Sequence, residues 1–108
     1  MRAEALKGHL DGLLLAVVAQ EPAHGYAIVE RLRDRSGGAF DLPEGTVYPA
    51  LHRLEQAGLL KSSWAAGTTR RRRVYALTAK GRRKLGERRT EWGSFSRAID
   101  LVLKEVPA

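Results

Sequence analysis

Glu44-Gly-Thr-Val-Tyr-Pro-Ala-Leu-His-Arg-Leu-Glu-Gln-Ala-Gly-Leu-Leu60 is followed, ten residues on, by the run Arg70-Arg-Arg-Arg73. Val47, Leu51, Leu54 and Gly58 are spaced 4, 3 and 4 apart, which places them on one inward face of a helix. Gly45, Pro49, His52 and Gln56 then project outward, flanked by Tyr48 and Arg53. Thr46 is the expected N-cap. Pro49 would then sit in the first turn, where its missing N–H leaves no helical bond unmade. Gly58 closes the helix. Two strand candidates follow, 59–65 and 71–77, joined by the turn Ala66-Gly-Thr-Thr69. A helix succeeded by a basic hairpin is the layout of a winged helix-turn-helix, in which the helix enters a DNA major groove and the hairpin straddles a phosphate strand.

The residues upstream complete that layout. Leu10 to Gln20 reads as a buried helix, although Val17-Val18 is equally at home in a strand. Glu21-Pro-Ala-His-Gly25 reads as a turn. Tyr26 to Arg35 reads as a second helix with Ile28, Val29 and Leu32 as its apolar stripe, stopped by Ser36-Gly-Gly38. Downstream, Thr78 is the expected cap of a last helix, 79–105. On it Leu85, Trp92, Phe95, Ile99, Val102 and Val106 are spaced 7, 3, 4, 3 and 4 apart, a heptad seam interrupted at Arg88. The expected fold is mainly α with a small β-hairpin. It divides into a winged helix-turn-helix domain over 1–78 and a long C-terminal dimerisation helix over 79–108.

Charge agrees with a polyanionic partner. Among 108 residues, 19 Lys and Arg oppose 12 Asp and Glu, a formal +7. With no cysteine, disulfides and thiolate chemistry are excluded. His9, His24 and His52 lie in different segments and none has an Asp or Ser partner at a catalytic spacing. No phosphate-binding loop or dinucleotide fingerprint occurs. Neither an enzyme, a metal site nor a cofactor is expected. The N-terminus lacks the basic-then-apolar order of a signal peptide, and the longest apolar run, Leu13 to Ala19, is too short for a bilayer. A cytoplasmic protein without a membrane partner is the expectation.

The chain resembles the PadR-like family of bacterial winged-helix transcriptional regulators, in its short form. The stretches that carry the resemblance are Leu6-Lys-Gly-His-Leu-Asp-Gly-Leu-Leu-Leu15, His24-Gly-Tyr26, Gly45-Thr-Val-Tyr-Pro-Ala-Leu-His-Arg-Leu-Glu55, Gly58-Leu-Leu60 and Arg71-Arg-Arg-Val-Tyr-Ala-Leu-Thr78 with Gly81. They span almost the whole chain in the family's order. The resemblance implies a homodimeric repressor that dimerises through its last helix. It also implies a flat cleft at the dimer centre, which in some members takes small aromatic or cationic compounds.

Candidate sites follow. For double-stranded DNA they are Gly25 and Tyr26 at the start of the second helix, Thr46, Tyr48, Pro49, His52 and Arg53 on the third, and Thr69, Arg70 and Arg72 on the wing. Arginine can fork onto guanine, and hydroxyls can bond phosphates. Tyr26 is also a reasonable core residue. Arg70 and Arg72 share one face of their strand, Arg71 and Arg73 the other. For a dimer interface the candidates are Trp92, Phe95, Ile99, Val102 and Val106. Gly8 and Gly12, four apart on the first helix, would admit a partner helix closely. Trp92, Phe95 and Ile99 are the candidates for a planar aromatic or cationic effector. The alternative function is a winged-helix scaffold for protein–protein contacts, against which the cationic wing argues.

Overall fold

The computed structural model describes residues 6, 8–67 and 72–105. Its element order is α1 (Leu10–Gln20), β1 (Ala23–His24), α2 (Gly25–Arg35), α3 (Glu44–Gln56), β2 (Leu60–Trp64), β3 (Arg73–Leu77) and α4 (Ala79–Leu103). The three strands form one antiparallel sheet in the order β1-β3-β2. Residues 68–71 of the wing tip, with Thr69 and Arg70 among them, and Val106 lie outside the described residues.

α1 is the central element. Leu14, Leu15, Val17 and Val18 are all buried, and α2, α3 and β3 pack around them. The Val17-Val18 ambiguity resolves as helix because the apolar run continues for three turns with α-helical neighbours on several sides. From α3 the core takes Val47, Ala50, Leu51 and Leu54, none more than 1% exposed. From the sheet it takes Ala23, Leu60, Tyr75 and Leu77, and from α4 Leu85. Among the described residues no polar or charged side chain is buried.

Five expectations need correction. α3 begins at Glu44, after a Pro43 cap that offers no side-chain bond, so Thr46 is its third residue and not its N-cap. Pro43 has φ fixed at −72°, and its carbonyl accepts the N–H groups of Thr46 and Val47 at 3.0 and 3.2 Å. Pro49 therefore lies beyond the first turn, and the Gly45 carbonyl loses its helical partner on the exposed face. Gly58 is exposed, not inward. It holds a positive φ of 77°, and its N–H and that of Leu59 bond the carbonyls of Glu55 and Leu54, which closes α3 as a Schellman motif. Ala23–His24 is a strand where a plain turn was expected. Gly8 precedes α1 with φ 88°, so it shares no helical face with Gly12. Gly12 is already covered by the chain's own Arg88, whose Cγ would stand 3.5 Å from an added Cβ.

The junction of α3, β2 and α4 is held by one residue cluster. Thr78 caps α4 by accepting the Gly81 N–H at 3.0 Å, and its hydroxyl reaches the carbonyls of Gly58 and Leu59. Lys80 Nζ bonds the Ala57 carbonyl at 2.9 Å. The orphan carbonyls at the end of α3 are thus met by the start of α4. Gly81 is what allows this approach. A Cβ there would overlap the Leu59 carbonyl oxygen and stand 2.9 Å from Leu77 Cδ1. Gly86, five residues on, has open space around it. Gly81→Ala is therefore expected to cost about 1–3 kcal/mol through overpacking against backbone. Gly86→Ala should add roughly 0.5–1 kcal/mol by restricting the unfolded chain. Urea unfolding of the two variants checks this. Equal shifts of the midpoint would mean that the Leu59 carbonyl is free to move.

Past Leu85, α4 leaves the core. Its 25 residues make a rod of about 37 Å. The radius of gyration is 16.0 Å, where a compact chain of this length has about 13 Å. Trp92 is 39% exposed, Phe95 55%, Ile99 40% and Val102 83%, with Leu101 and Leu103 still more open than Phe95. The Trp92 ring meets the His9 ring, tilted at 58° with centroids 4.6 Å apart.

Candidate nucleic-acid interface

The outward row of α3 is as its spacing dictates: Gly45, Pro49, His52 and Gln56 are exposed, and Tyr48 and Thr46 are half-buried beside it. Arg53 is exposed and reaches across to Asp11 of α1, Nη2 to Oδ1 at 3.1 Å. Both partners are well solvated, so the pair contributes only about 0–1 kcal/mol. The guanidinium can exchange it for a base edge or a phosphate at little cost.

Beside this row lies a hollow of about 600 Å³, walled by the start of α2, the start of α3 and the two wing strands. Tyr48 forms its floor. The phenol lies so close over Gly25 that a Cβ there would be 2.5 Å from Tyr48 Cε1. Gly25 is buried for that reason: it lets an α3 side chain rest on the α2 backbone, and the two helices of the motif meet through this contact. Tyr26 is 54% exposed at the rim, which removes it from the core. Burial, and secondarily the Glu44 carboxylate, push the Tyr48 phenol above its ordinary range. It stays an O–H donor at neutral pH. Glu44 is the one carboxylate among the described residues lining the hollow.

The wing supplies the cations. β2 and β3 pair with Trp64 opposite Arg73 and Ser62 opposite Tyr75. The Arg73 guanidinium sits over the Trp64 ring at 5.1 Å, and its Nε donates to Ser62 Oγ at 2.6 Å. Ser62 in turn donates to the carboxylate of Glu55, near the end of α3. A chain of contacts, Glu55–Ser62–Arg73–Trp64, thereby ties the wing to the helix it accompanies. Burial first, and Glu55 next, raise the pKa of the Tyr75 phenol, with Arg73 opposing. Arg72, immediately before β3, reaches His24 instead, with Nη1 3.2 Å from its Nε2.

Of the ten candidate DNA residues, the structure places Gly25, Tyr26, Tyr48 and Arg72 around one hollow. Thr46, Pro49, His52 and Arg53 lie on the adjoining helix α3. Glu55, Ser62 and Trp64 belong to this region and were not singled out from sequence, and His24 entered only with the His24-Gly-Tyr26 stretch, without a role of its own. Trp64 was within reach: once the hairpin register is known, it faces the arginine run. His24 was not, because only the short strand β1, opposite Val74 of β3, brings it to the wing.

Comparison with known proteins agrees with this architecture. The model of the transcriptional regulator PadR-like family matches residues 14–87. A transcriptional regulator of Mycobacterium tuberculosis is 37% identical over 93 residues, 86% of this chain and 78% of that protein. A solved transcriptional regulator from Clostridium thermocellum superposes with a TM-score of 0.85 at 26% identity, over 96% of this chain and 99% of the other. A PadR family transcriptional regulator from Eggerthella lenta does so at 0.81 and 34% identity, over 95% and 88%. Matched over most of its length by that family model, and sharing its fold with these regulators, the chain belongs to the PadR-like family of transcriptional regulators.

Proposed function

We propose that this regulator binds double-stranded DNA sequence-specifically, as a homodimer on an inverted repeat, and acts as a repressor. The observation that carries the reading is the hollow beside α3. It gathers a tyrosine phenol, the exposed Tyr26 and the wing residues Arg72 and Arg73 next to an outward, exposed helix face. With one arginine and one histidine on that face, few direct base contacts are available, and DNA shape would carry much of the specificity. The α4 seam, Trp92, Phe95, Ile99 and Val102, supports dimerisation, since it is apolar, exposed and longer than the core needs. Val106 extends it in sequence. In this reading 1–78 is the DNA-binding unit and 79–108 the dimerisation element. Repression is the direction implied by the family resemblance. Trp92, Phe95 and Ile99 would form the wall of an effector cleft for a planar aromatic or cationic compound, and the small hollow between His9, Arg88, Glu91, Trp92 and Phe95 favours that placement.

Selection of bound sequences from a random DNA pool tests the proposal. The expected product is an inverted repeat whose half-sites lie about one helical turn apart, because recognition helices related by a two-fold axis must enter successive major grooves. Recovery of a single unrepeated half-site would refute the symmetric mode. No enrichment at low salt would favour the protein-scaffold alternative.

A further inference from the structure

His24 caps α2 with Nδ1, which accepts the Ala27 N–H at 3.3 Å. A backbone N–H can only donate, so Nδ1 carries a lone pair there and the proton of the neutral ring is on Nε2. That nitrogen faces Arg72 Nη1 at 3.2 Å. A guanidinium has five N–H donors and no acceptor. Two donors therefore confront each other across hydrogen-bond distance with no acceptor between them. The contact is unfavourable as it stands and becomes favourable when an anion with two free oxygens receives both.

The backbone brings the two residues together. His24 is locked opposite Val74 by the β1–β3 ladder, and Arg72 immediately precedes β3, two residues before Val74. Arg31 of α2 grips the preceding turn, bonding the Glu21 carbonyl at 3.1 Å and its carboxylate at 3.5 Å. Arg73 is placed differently, its Nε donating to Ser62 and its plane lying over Trp64.

We propose that His24 and Arg72 form a two-donor clamp for one phosphate of the DNA backbone. The imidazole Nε2–H bonds one non-bridging oxygen and the guanidinium the other. The inference rests on the DNA-binding reading and extends it to a neutral side chain that charge alone would never single out. Both nitrogens of the histidine are then used, since Nδ1 fixes the start of α2 while Nε2 reads the phosphate. The wing and the helix-turn-helix are thereby registered on the same point of the duplex.

His24→Ser keeps an N-cap oxygen and removes the outward donor. Arg72→Gln removes the charge from an exposed residue that the fold does not need. Methylphosphonate scanning of one half-site, which neutralises phosphates singly, is combined with both variants. The Ser variant is expected to bind all sequences about tenfold more weakly per half-site. Its salt dependence should be unchanged, because a neutral donor releases no counterion. The Gln variant should lose about one unit of log–log salt slope per protomer. The double variant should fall short of the product of the two losses, as two donors on one phosphate are coupled. One methylphosphonate position should weaken the wild type and leave the double variant unaffected. Fully multiplicative losses, or a Ser variant with wild-type affinity and an unchanged scan, overturn the clamp while DNA binding stands. Absence of wild-type binding to any DNA at low salt overturns the DNA reading and the clamp together.

Discussion

Replacing Ile99 and Val102 together with aspartate is expected to leave a folded monomer whose affinity for its selected DNA is lower by about a thousandfold. Both residues lie on the stretch of α4 that has left the core, and Val102 is 83% exposed. Neither contributes to the buried cluster, which on α4 is confined to Gly81 and Leu85. The monomer's own stability should therefore change little. In a two-fold dimer the same two positions recur on the partner helix, so the variant brings four carboxylates into one apolar seam. Carboxylates buried without partners cost several kcal/mol each. The loss of DNA affinity has a separate origin. Two half-sites bound by one tethered pair gain a large effective concentration, and a monomer forfeits it without losing a single DNA contact. Sedimentation gives the oligomeric state, and thermal melting shows whether the fold survives. A variant that remains dimeric would place the interface away from the α4 seam.

The distinction between core and seam was legible because both rest on period. α1 runs over Leu10–Gln20, as its composition indicated, and the buried residues of α2 and α3 are those of the sequence stripes with Gly25 and Ala50 added and Gly58 lost. Thr78 caps α4 as expected. The start of α3 was less legible because two capping rules compete there. A threonine is a good N-cap by hydrogen bonding, and a proline at the helix start is good by its fixed φ. Pro43 prevails, at the loss of one helical bond at Pro49. β1 was illegible for a different reason. Two residues have no periodicity, and their strand character comes entirely from β3 lying alongside.

The candidate region was legible only where charge and outward spacing announce it. The arginine run and the exposed α3 row are properties of single segments. The Gly25–Tyr48 stacking, the Glu55–Ser62–Arg73–Trp64 chain and the facing of His24 by Arg72 are properties of pairs far apart in sequence. No segment read alone contains them. Gly25 shows this most plainly: in sequence it is a helix-start glycine suited to a phosphate, whereas in the fold its missing side chain is filled by a tyrosine ring from the next helix.

DNA affinity itself is expected to fall by about 10³ to 10⁵ between 50 and 200 mM salt. Each protomer offers Arg72 and Arg53 on the described surface, and Arg70 and Arg71 in sequence at the wing tip. Arg73 is set apart by its bonds to Ser62 and Trp64. Two protomers then neutralise on the order of 6–10 phosphates, which gives a log–log slope of roughly −5 to −9. Changing Arg70 and Arg72 to Ala removes four charges from the dimer and should flatten the slope by about 3–4. The loss should be the same on every sequence, since phosphates position the protein and bases specify the site. Tyr48→Phe provides the contrast. Its phenol is a neutral donor at working pH, so the variant should weaken binding by about 1 kcal/mol per protomer with the slope unmoved. Titrations of wild type and both variants against selected and unrelated DNA at several salt concentrations separate these terms. An affinity that does not change with salt would take the wing off the phosphates, because Arg70, Arg71 and Arg72 cannot contact a polyanion without displacing its counterions.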